Sequence, residues 1–405
     1  MGLRVIIAGG GIGGLCLAQG LRKRGVSVEV FESEHDLGPW QRGFRLRVDR
    51  SGRGALVSCL PAGLYDLAQA TAGRLYTPRG AVYDHLLNEV VTARPPDLPL
   101  DPAAAAMVVD RRTLREILFT GLGDAVRFGQ PVVDYEHVGD QVRVLLADGG
   151  SATGDVLVAA DGVGSAVRRR RLPQAEVLDL DLSGVYGHLP LDDEALAWIP
   201  AELLGGARPV LSPEGWTMVL GAFQPQMPTA DALAQTAPGT ALQPVPAYLQ
   251  WTLLAPAEAH PLPPEALRAA APAELYGLAA EATRAWHPLL RRIIAESRPE
   301  TTTALAIQTM IPTPAWPSDN VTVLGDCIHA MTPVGGLGAN AALRDAALLA
   351  AALADADAGR RGLISAISHY EAQMRDYAYE AISSSLWGAE TLFGTRTPST
   401  EGAHA

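Results

Sequence analysis

The chain has 405 residues and a formal net charge of −12, with 48% hydrophobic and 19% charged residues. These proportions predict a globular protein of about two or three domain-sized units. The acidic balance argues against nucleic-acid binding, because the strong basic run, residues 168–171, is too short to form a broad basic face. No uninterrupted apolar run reaches about 18 residues, so no membrane span is expected. The first residues lack the basic region and cleavage site of a signal peptide. Three cysteines without a CxxC pair favour a reduced, cytoplasmic protein with no metal site.

The N-terminal segment predicts a strand, a glycine-rich turn and a helix. Residues 3–8 are an apolar run, and the turn Gly9-Gly10-Gly11-Ile12-Gly13-Gly14 opens a helix predicted over 15–24. Free N–H groups at such a helix start can hold a pyrophosphate. A second strand over 26–31 ends at Glu32, whose carboxylate can accept hydrogen bonds from a ribose without a 2′-phosphate. The unit indicates FAD or NAD; a glycine turn without a ligand is the alternative.

Within this turn, Gly11 is expected to let the backbone approach the pyrophosphate, and Gly14 to let the helix pack closely on the strand. No second turn of this kind follows another strand. One resident dinucleotide is therefore expected, and a nicotinamide would bind only in passing.

A second motif follows a predicted hairpin and strand over residues 141–160. It reads Asp161-Gly162-Val163-Gly164-Ser165-Ala166-Val167-Arg168. The glycines allow a tight turn, and Ser165 can cap the helix that follows. The alternative is a capped loop followed by solvated arginines.

The third motif is Gly325-Asp326-Cys327-Ile328-His329-Ala330-Met331-Thr332-Pro333. Asp326, at a predicted strand end, can hold polyol hydroxyls. The following glycines, Gly335, Gly336 and Gly338, can lie against a planar ring. A helix predicted over 340–353 would direct the positive end of its dipole at that ring. His329 is a candidate base, although a packed or locally bonded histidine is favoured.

In this order, the three motifs resemble those of the single-component FAD-dependent aromatic hydroxylases, the class A flavoprotein monooxygenases of the p-hydroxybenzoate hydroxylase type. The resemblance covers residues 3–377. It implies an α/β fold with a Rossmann-like FAD-binding domain of the GR2 type, an inserted α+β substrate domain on an antiparallel sheet, and a C-terminal helix. The implied boundaries are 1–75, 106–172 and 310–355 for the FAD-binding domain, 76–105 and 173–309 for the substrate domain, and 356–393 for C-terminal helices. Residues 394–405 are expected to be a disordered tail, with no further C-terminal domain.

The resemblance implies non-covalently bound FAD, with NADH or NADPH as a transient co-substrate. The first turn and the strand end after it would hold the ADP half through Gly9, Gly11, Ile12, Gly13, Gly14, Glu32 and Ser33. A glycine-containing strand and an arginine-rich helix start would contribute Arg42, Gly43, Arg45, Arg111 and Arg115; solvated arginines are the alternative for the last two. The second and third motifs would contribute Asp161, Gly162, Gly325 and Asp326. The loop against the isoalloxazine would be Pro333, Gly336, Leu337, Gly338, Ala339 and Asn340.

Alternating segments such as 216–223 and 248–254 predict an antiparallel sheet, which in this family covers the flavin and shapes the substrate pocket. The region 172–309 is poor in arginine and lacks lysine, so an apolar or aromatic, polyketide-like substrate is expected. The pocket candidates are Tyr186, His188, Met218, Leu220, Phe223 and Trp251, with ordinary core packing as the alternative for each. His188, Tyr186 and Arg45 are weak catalytic candidates. The Pro/Ala-rich stretch 92–107 is expected to be a long loop beside this region.

The resemblance implies a monooxygenase that hydroxylates or epoxidises its substrate with NAD(P)H and O₂ through a C4a-hydroperoxyflavin. A reductase or dehydrogenase and a non-redox FAD-scaffolded cyclase or binding protein remain open alternatives. A flavin-dependent halogenase is disfavoured, because Ala195 and Ala197 stand where that class has tryptophans and the sole lysine, Lys23, lies in the first helix. A monomer or homodimer without a membrane or nucleic-acid partner is expected.

Overall fold

The computed structural model describes residues 2–38, 45–74, 80–93 and 106–393. Arg42 and Gly43, most of the predicted 92–107 loop and the predicted tail 394–405 therefore lie outside the described residues.

The described residues form helices and strands that alternate along the chain. The strands are β1 Arg4–Ala8, β2 Ser27–Phe31, β3 Arg45–Val48, β4 Gly80–Asp84, β5 Glu89–Ala93, β6 Met107–Asp110, β7 Val126–Arg127, β8 Val132–Val138, β9 Gln141–Leu146, β10 Ser151–Gly154, β11 Val156–Ala159, β12 Val177–Pro190, β13 Arg208–Leu211, β14 Thr217–Phe223, β15 Tyr248–Pro256, β16 Thr303–Met310 and β17 Val321–Val323. The helices are α1 Ile12–Lys23, α2 Arg50–Cys59, α3 Ala62–Ala70, α4 Arg111–Phe119, α5 Ala166–Arg171, α6 Asp193–Trp198, α7 Ala201–Leu204, α8 Thr229–Thr236, α9 Pro264–Ala269, α10 Pro272–Ala282, α11 Pro288–Ala295, α12 Asp326–His329, α13 Gly338–Asp357 and α14 Leu363–Phe393.

A parallel sheet has the order β17-β11-β1-β2-β7. Its central strands are apolar and buried on both faces, as expected when helices cover a parallel sheet from both sides. Helix α1 packs on α13, and α13 packs on α14. We call this sheet, together with the helices α1, α2, α4, α13 and α14 and the short strands β3 and β6 that pack beside it, the parallel-sheet unit. The carboxyl ends of β1, β11 and β17 lead directly into the three motifs. The three motifs therefore meet at one edge of the parallel sheet.

Helix α13 is long and apolar because it is a core helix. The segment Val334–Asp357 could cross a bilayer by length and composition alone. However, α13 packs against α1, α2 and α14 and buries a face that includes Leu343, Leu349 and Leu353. Its composition is thus explained by the interior of the parallel-sheet unit.

Local predictions in this unit hold with shifted boundaries. The predicted hairpin is β9 and β10, which join β8 in an antiparallel sheet, and β11 follows as predicted. Helix α1 starts inside the glycine turn at Ile12, and α13 spans Gly338–Asp357, longer than predicted at both ends.

A second, larger sheet has the order β16-β12-β15-β14-β13-β4-β5 and is antiparallel except where β13 meets β4. One face packs on helices α6, α7, α9, α10 and α11 and forms a large apolar core. The opposite face, which we call the cleft face, meets the parallel-sheet unit at β3 and β6. The fold thus confirms the predicted α/β architecture with a parallel-sheet unit, an antiparallel sheet and a C-terminal helix.

Candidate active site

The first turn combines two positions that admit only glycine with one that is open. Gly9 has φ 107°, and a Cβ there would lie 2.3 Å from the carbonyl oxygen of Ala160. A Cβ on Gly14 would lie 2.1 Å from the carbonyl oxygen of Gly9, whereas a Cβ on Gly11 would meet nothing within 4 Å. Gly14 therefore allows the predicted close packing of α1 on β1. Gly11 leaves a cradle beside the start of α1, where a pyrophosphate fits.

Glu32 is buried at the end of β2 and organises the turn. One carboxylate oxygen, Oε2, accepts from the Gly10 N–H at 2.5 Å, and Oε1 accepts from the Glu34 N–H at 2.9 Å and the Ser33 hydroxyl at 3.1 Å. Arg115 donates through Nε to the Gly10 carbonyl at 3.0 Å and pairs with Glu34 at 2.5 Å. The alternative of a solvated Arg115 is therefore wrong, since this side chain joins α4 to the first turn.

The start of α4 lies at the junction of the two units. Arg111, its first residue, is partly buried. Asp110 caps the helix by accepting from the N–H groups of Arg112 and Thr113. Its other oxygen accepts from the Tyr248 hydroxyl at 2.9 Å, and burial raises the pKa of Asp110. A carboxylate of the parallel-sheet unit is thus bonded directly to the cleft face.

Arg168 ties the second motif to the third. Its side chain is only 4% exposed and donates to the carbonyls of Val163 at 2.7 Å and Cys327 at 3.3 Å. Ser165 accepts from the Arg168 N–H at 2.9 Å, which confirms the predicted cap. The solvated alternative holds for the exposed Arg169 but not for Arg168.

Asp161 stands at the end of β11 beside the first turn. Its Oδ1 is buried and has no hydrogen-bond partner in the part of the chain that is described, and burial raises the pKa of the carboxyl group. A Cβ on the adjacent Gly162 would meet nothing within 4 Å. An unused acceptor beside open space fits a donor group of a bound cofactor.

The third motif places Asp326 against the glycine loop. Asp326 is exposed at the start of α12, and its Oδ1 lies 3.8 Å from the position a Cβ on Gly338 would occupy. Gly335 and Gly336 turn the chain with φ 81° and 64°. The loop of Pro333, Gly336, Leu337, Gly338 and Ala339 thus exposes backbone next to Asp326, where a polyol chain and a ring can lie.

Asn340 holds this loop in place. Its Nδ2 donates to the carbonyls of Gly336 and Arg47, both at 2.8 Å, and its Oδ1 accepts from the Asp49 N–H at 2.9 Å. Both polar atoms of the amide are therefore hydrogen-bonded to backbone groups. Asn340 therefore positions the loop against β3 and does not offer its side chain to the ring.

His329 belongs to a buried network that the sequence reasoning missed. His329 Nε2 lies 2.6 Å from Asp345 Oδ2, which also accepts from the Gly325 N–H at 2.9 Å. The Tyr377 hydroxyl donates to Asp345 Oδ1. Burial alone would lower the pKa of His329, but the Asp345 carboxylate holds it above its usual value. The sequence signal that could have revealed this network is Asp345, a carboxylate within the Ala/Leu-rich helix α13. The favoured prediction of a locally bonded His329 is confirmed.

The cleft face brings together three of the predicted pocket residues. Tyr186 and Phe223 pack with Tyr248, which the prediction omitted, and all three are at most 4% exposed. Phe223 stacks on Tyr248 with ring centroids 5.3 Å apart, and His188 lies 5.6 Å from Tyr248. Val108 of β6 packs on the same cluster. The cleft face is therefore aromatic where it meets the parallel-sheet unit.

Met218, Leu220 and Trp251 do not line this cleft. They lie in the apolar core on the opposite face of the sheet, packed with the helices, and each is fully buried. Trp251 donates through Nε1 to Ser297 Oγ at 2.8 Å. Because successive strand residues point to opposite faces, Met218 and Leu220 cannot share a face with Phe223. The structure corrects the prediction for these three residues.

Arg45 crosses from β3 to the large sheet. Its guanidinium donates to the Ala222 carbonyl at 2.9 Å, and a Cβ on Gly221 would lie 2.8 Å from its nitrogen. The glycine therefore makes room for the arginine. Arg45 joins the two units at the cleft, while Arg47, two residues on, lies beside Gly336 of the third-motif loop.

His188 is expected to be neutral at physiological pH. Burial, followed by the nearby Arg298, lowers the pKa of His188 to about 4. An NMR titration of imidazole-labelled protein should therefore show one histidine with a midpoint near this value, and His188→Asn should remove that signal. Since the folded pKa is below the unfolded value of about 6.5, this group reduces stability as pH falls from 6.5 towards 4. A midpoint near 6.5 would contradict the assignment.

Comparisons with known proteins agree with this geometry. An FAD binding domain model matches residues 278–385, and an NAD(P)-binding Rossmann-like domain model matches residues 7–69, which contain the first turn. The dual O-methyltransferase/FAD-dependent monooxygenase elcB of Phaeosphaeria nodorum is 29% identical over 98% of this chain. The alignment covers 46% of elcB, so the chain spans about half the length of this curated relative. An FAD-dependent urate hydroxylase of Klebsiella oxytoca is 28% identical over 92% of the chain and 86% of the hydroxylase.

Solved structures show the same fold. A Photorhabdus luminescens protein described as an FAD-containing monooxygenase superposes with a TM-score of 0.82 at 29% identity, covering 96% of this chain and 98% of the other. Klebsiella pneumoniae HpxO, complexed with FAD and uric acid, superposes with a TM-score of 0.74 at 25% identity, covering 97% and 89%.

The chain is thus similar over nearly its whole length to FAD-dependent monooxygenases and hydroxylases, and two of its segments match FAD- and NAD(P)-binding domain models. These findings agree with the family resemblance and confirm the FAD cofactor predicted from the three motifs. The open cradle at Gly11 and the unused Asp161 acceptor fit that cofactor.

Proposed function

We propose that this flavoprotein is a monooxygenase that hydroxylates or epoxidises an apolar aromatic metabolite with NADH or NADPH and O₂. The observation that carries the proposal is the cleft face. Its side chains on β12, β14 and β15 are aromatic or neutral: Tyr186, His188, Val219, Phe223, Tyr248, Gln250 and Thr252. Such a surface suits a flat, uncharged ring placed against the third-motif loop.

The relatives support this reaction class. The fungal relative elcB is a dual O-methyltransferase/FAD-dependent monooxygenase, and the Klebsiella oxytoca relative is a hydroxylase of urate, a planar heterocycle. We place the reaction in the cytoplasm, where NAD(P)H is available, in keeping with the free thiols Cys16, Cys59 and Cys327.

The bound FAD supplies the electron transfer and the oxygen chemistry. The protein supplies position and electrostatics. The N-terminus of α13, which begins at Gly338 beside the loop, favours negative charge on a ring placed there. The buried aromatic side chains of the cleft face exclude water from the ring side, and the lowered pKa of His188 keeps its imidazole uncharged at the cleft.

The test is anaerobic mixing of the holoprotein with NADH or NADPH, with and without an aromatic substrate, followed by admission of O₂. The expected result is substrate-accelerated loss of the oxidised flavin absorbance, then an oxygenated product in which ¹⁸O₂ supplies the new oxygen. Flavin reduction without oxygenated product would favour a reductase. No reduction with either nucleotide, even with substrate, would favour a non-redox FAD scaffold.

A further inference from the structure

Helix α4 connects the first glycine turn to the large sheet, because it is hydrogen-bonded to both. Its Arg115 donates from Nε to the Gly10 carbonyl at 3.0 Å and pairs with Glu34 at 2.5 Å. Elsewhere along α4, β15 and the chain just before that strand bond to two carboxylates of the helix. The position of α4 therefore determines where Arg115 stands against the turn in which the FAD cradle lies.

The first of these bonds is made by Tyr248 of β15, whose hydroxyl donates to Asp110 Oδ2 at 2.9 Å. Asp110 is the cap of α4, and its Oδ1 accepts from the N–H groups of Arg112 and Thr113 at 3.0 and 3.1 Å. Tyr248 and Asp110 are both only 4% exposed, so water has little access to replace the hydroxyl. One carboxylate thus starts the helix and receives a bond from the large sheet.

The second bond reaches α4 next to Arg115. The Gln243 N–H donates to Glu116 Oε2 at 2.9 Å, and Glu116 Oε1 accepts from Arg112 Nε at 2.8 Å. Glu116 follows Arg115 directly in the helix. The chain of the large-sheet region is therefore attached to α4 both before and after the arginine that contacts the first turn.

Loss of the Tyr248 hydroxyl would leave a buried carboxylate oxygen without its donor. Burial raises the pKa of Asp110, and the bond from Tyr248 acts in the opposite direction. An unpaired buried acceptor costs free energy, and the carboxylate can regain a donor by turning further towards the N–H groups that it caps. Such a movement changes the start of the helix that carries Arg115.

We propose that Tyr248 is a positioning residue for FAD, which acts through Asp110 to hold α4 so that Arg115 stays against the first turn. The hydroxyl belongs to the large sheet, whereas the arginine that it positions lies at the turn with the pyrophosphate cradle. The large sheet thus contributes to cofactor binding in addition to facing the cleft. This inference concerns FAD affinity and does not depend on the proposed oxygenation.

The experiment titrates FAD into the apoproteins of wild type, Tyr248→Phe, Arg115→Lys and the double variant, followed by flavin fluorescence. Y248F keeps the ring that stacks on Phe223, so the fold is retained. We expect Y248F to bind FAD about tenfold more weakly than wild type. R115K should also weaken binding, because lysine lacks the planar fork of arginine. Within R115K, adding Y248F should cost less than about twofold, since the two changes remove the same contact. Tyr379→Phe is the matched control, since it loses a hydroxyl bond of the same length, to the Thr313 carbonyl, and should stay within about twofold of wild type.

An FAD affinity of Y248F equal to that of wild type would overturn the inference. A tenfold loss that persists in the R115K background would also overturn it, because the hydroxyl would then act by a route other than Arg115. The thermal midpoints of the apoproteins are measured alongside. A general loss of packing would weaken FAD binding by the same factor in both backgrounds, so the comparison separates positioning from a merely structural role.

Discussion

Gly11→Ala is expected to remove FAD from the protein without unfolding it. The backbone at Gly11 is extended, with φ −75° and ψ −173°, and a Cβ there would meet no protein atom within 4 Å. The added methyl would instead occupy the cradle beside the start of α1. We expect the FAD affinity to fall about 100-fold or more, since the pyrophosphate must approach the backbone closely. Flavin fluorescence titration of the apoprotein measures this affinity.

The thermal midpoint of the G11A apoprotein, followed by circular dichroism, should equal that of wild-type apoprotein. Gly14→Ala should lower it, because its Cβ would lie 2.1 Å from the Gly9 carbonyl oxygen and α1 must move away from β1. An overpacked contact of this kind costs about 1–3 kcal/mol or more. Gly54→Ala is the matched control, since this helical glycine has open space around it. The substitution should leave the FAD affinity unchanged, and it should leave the thermal midpoint unchanged or raise it slightly. Normal FAD affinity in G11A would show that the cradle lies elsewhere.

Asp345→Ala is expected to cost about 3–5 kcal/mol of stability, because it leaves buried donors without their acceptor. The Gly325 N–H, His329 and Tyr377 all bond this carboxylate, and both His329 and Asp345 are fully buried. Since Gly325 leads into Asp326, FAD should also be released more easily. Urea unfolding of the apoprotein, with flavin release measured separately, tests both effects.

Asp355→Ala provides the comparison within the same helix. Asp355 pairs with Arg360 at the surface, with both side chains about half exposed, so its loss should cost less than about 1 kcal/mol. Equal unfolding midpoints for D345A and D355A would refute a structural role for the buried network.

The three motifs could be located from the sequence because their geometry is local. Gly9 and Gly14 are required by contacts within one strand–turn–helix, and Ser165 caps the helix that starts at the next residue. Long-range packing was harder to anticipate. Arg168 begins a run of four arginines that looks solvated, yet it reaches inward to the Cys327 carbonyl of a segment far along the chain.

The orientation of the large sheet also depends on long-range packing, which the local sequence does not reveal. The pocket prediction grouped Met218 and Leu220 with Phe223, although alternation along β14 separates them onto opposite faces. Alternation does not say which of the two faces meets the parallel-sheet unit. That choice depends on the helices between Asp193 and Ala295, which cover one side. Asp345 illustrates a further case, since its partner Tyr377 lies on α14 and no local pattern links the two.

The order of strands in the parallel sheet has a consequence for biosynthesis. The first motif follows β1 at the N-terminus, but β17, which carries the third motif, begins only at Val321 and pairs with β11. A growing polypeptide on the ribosome therefore presents the first and second motifs long before the third is made. FAD binding that uses all three motifs must therefore wait until β17 has been made and has joined the sheet, so it follows the folding of the N-terminal strands.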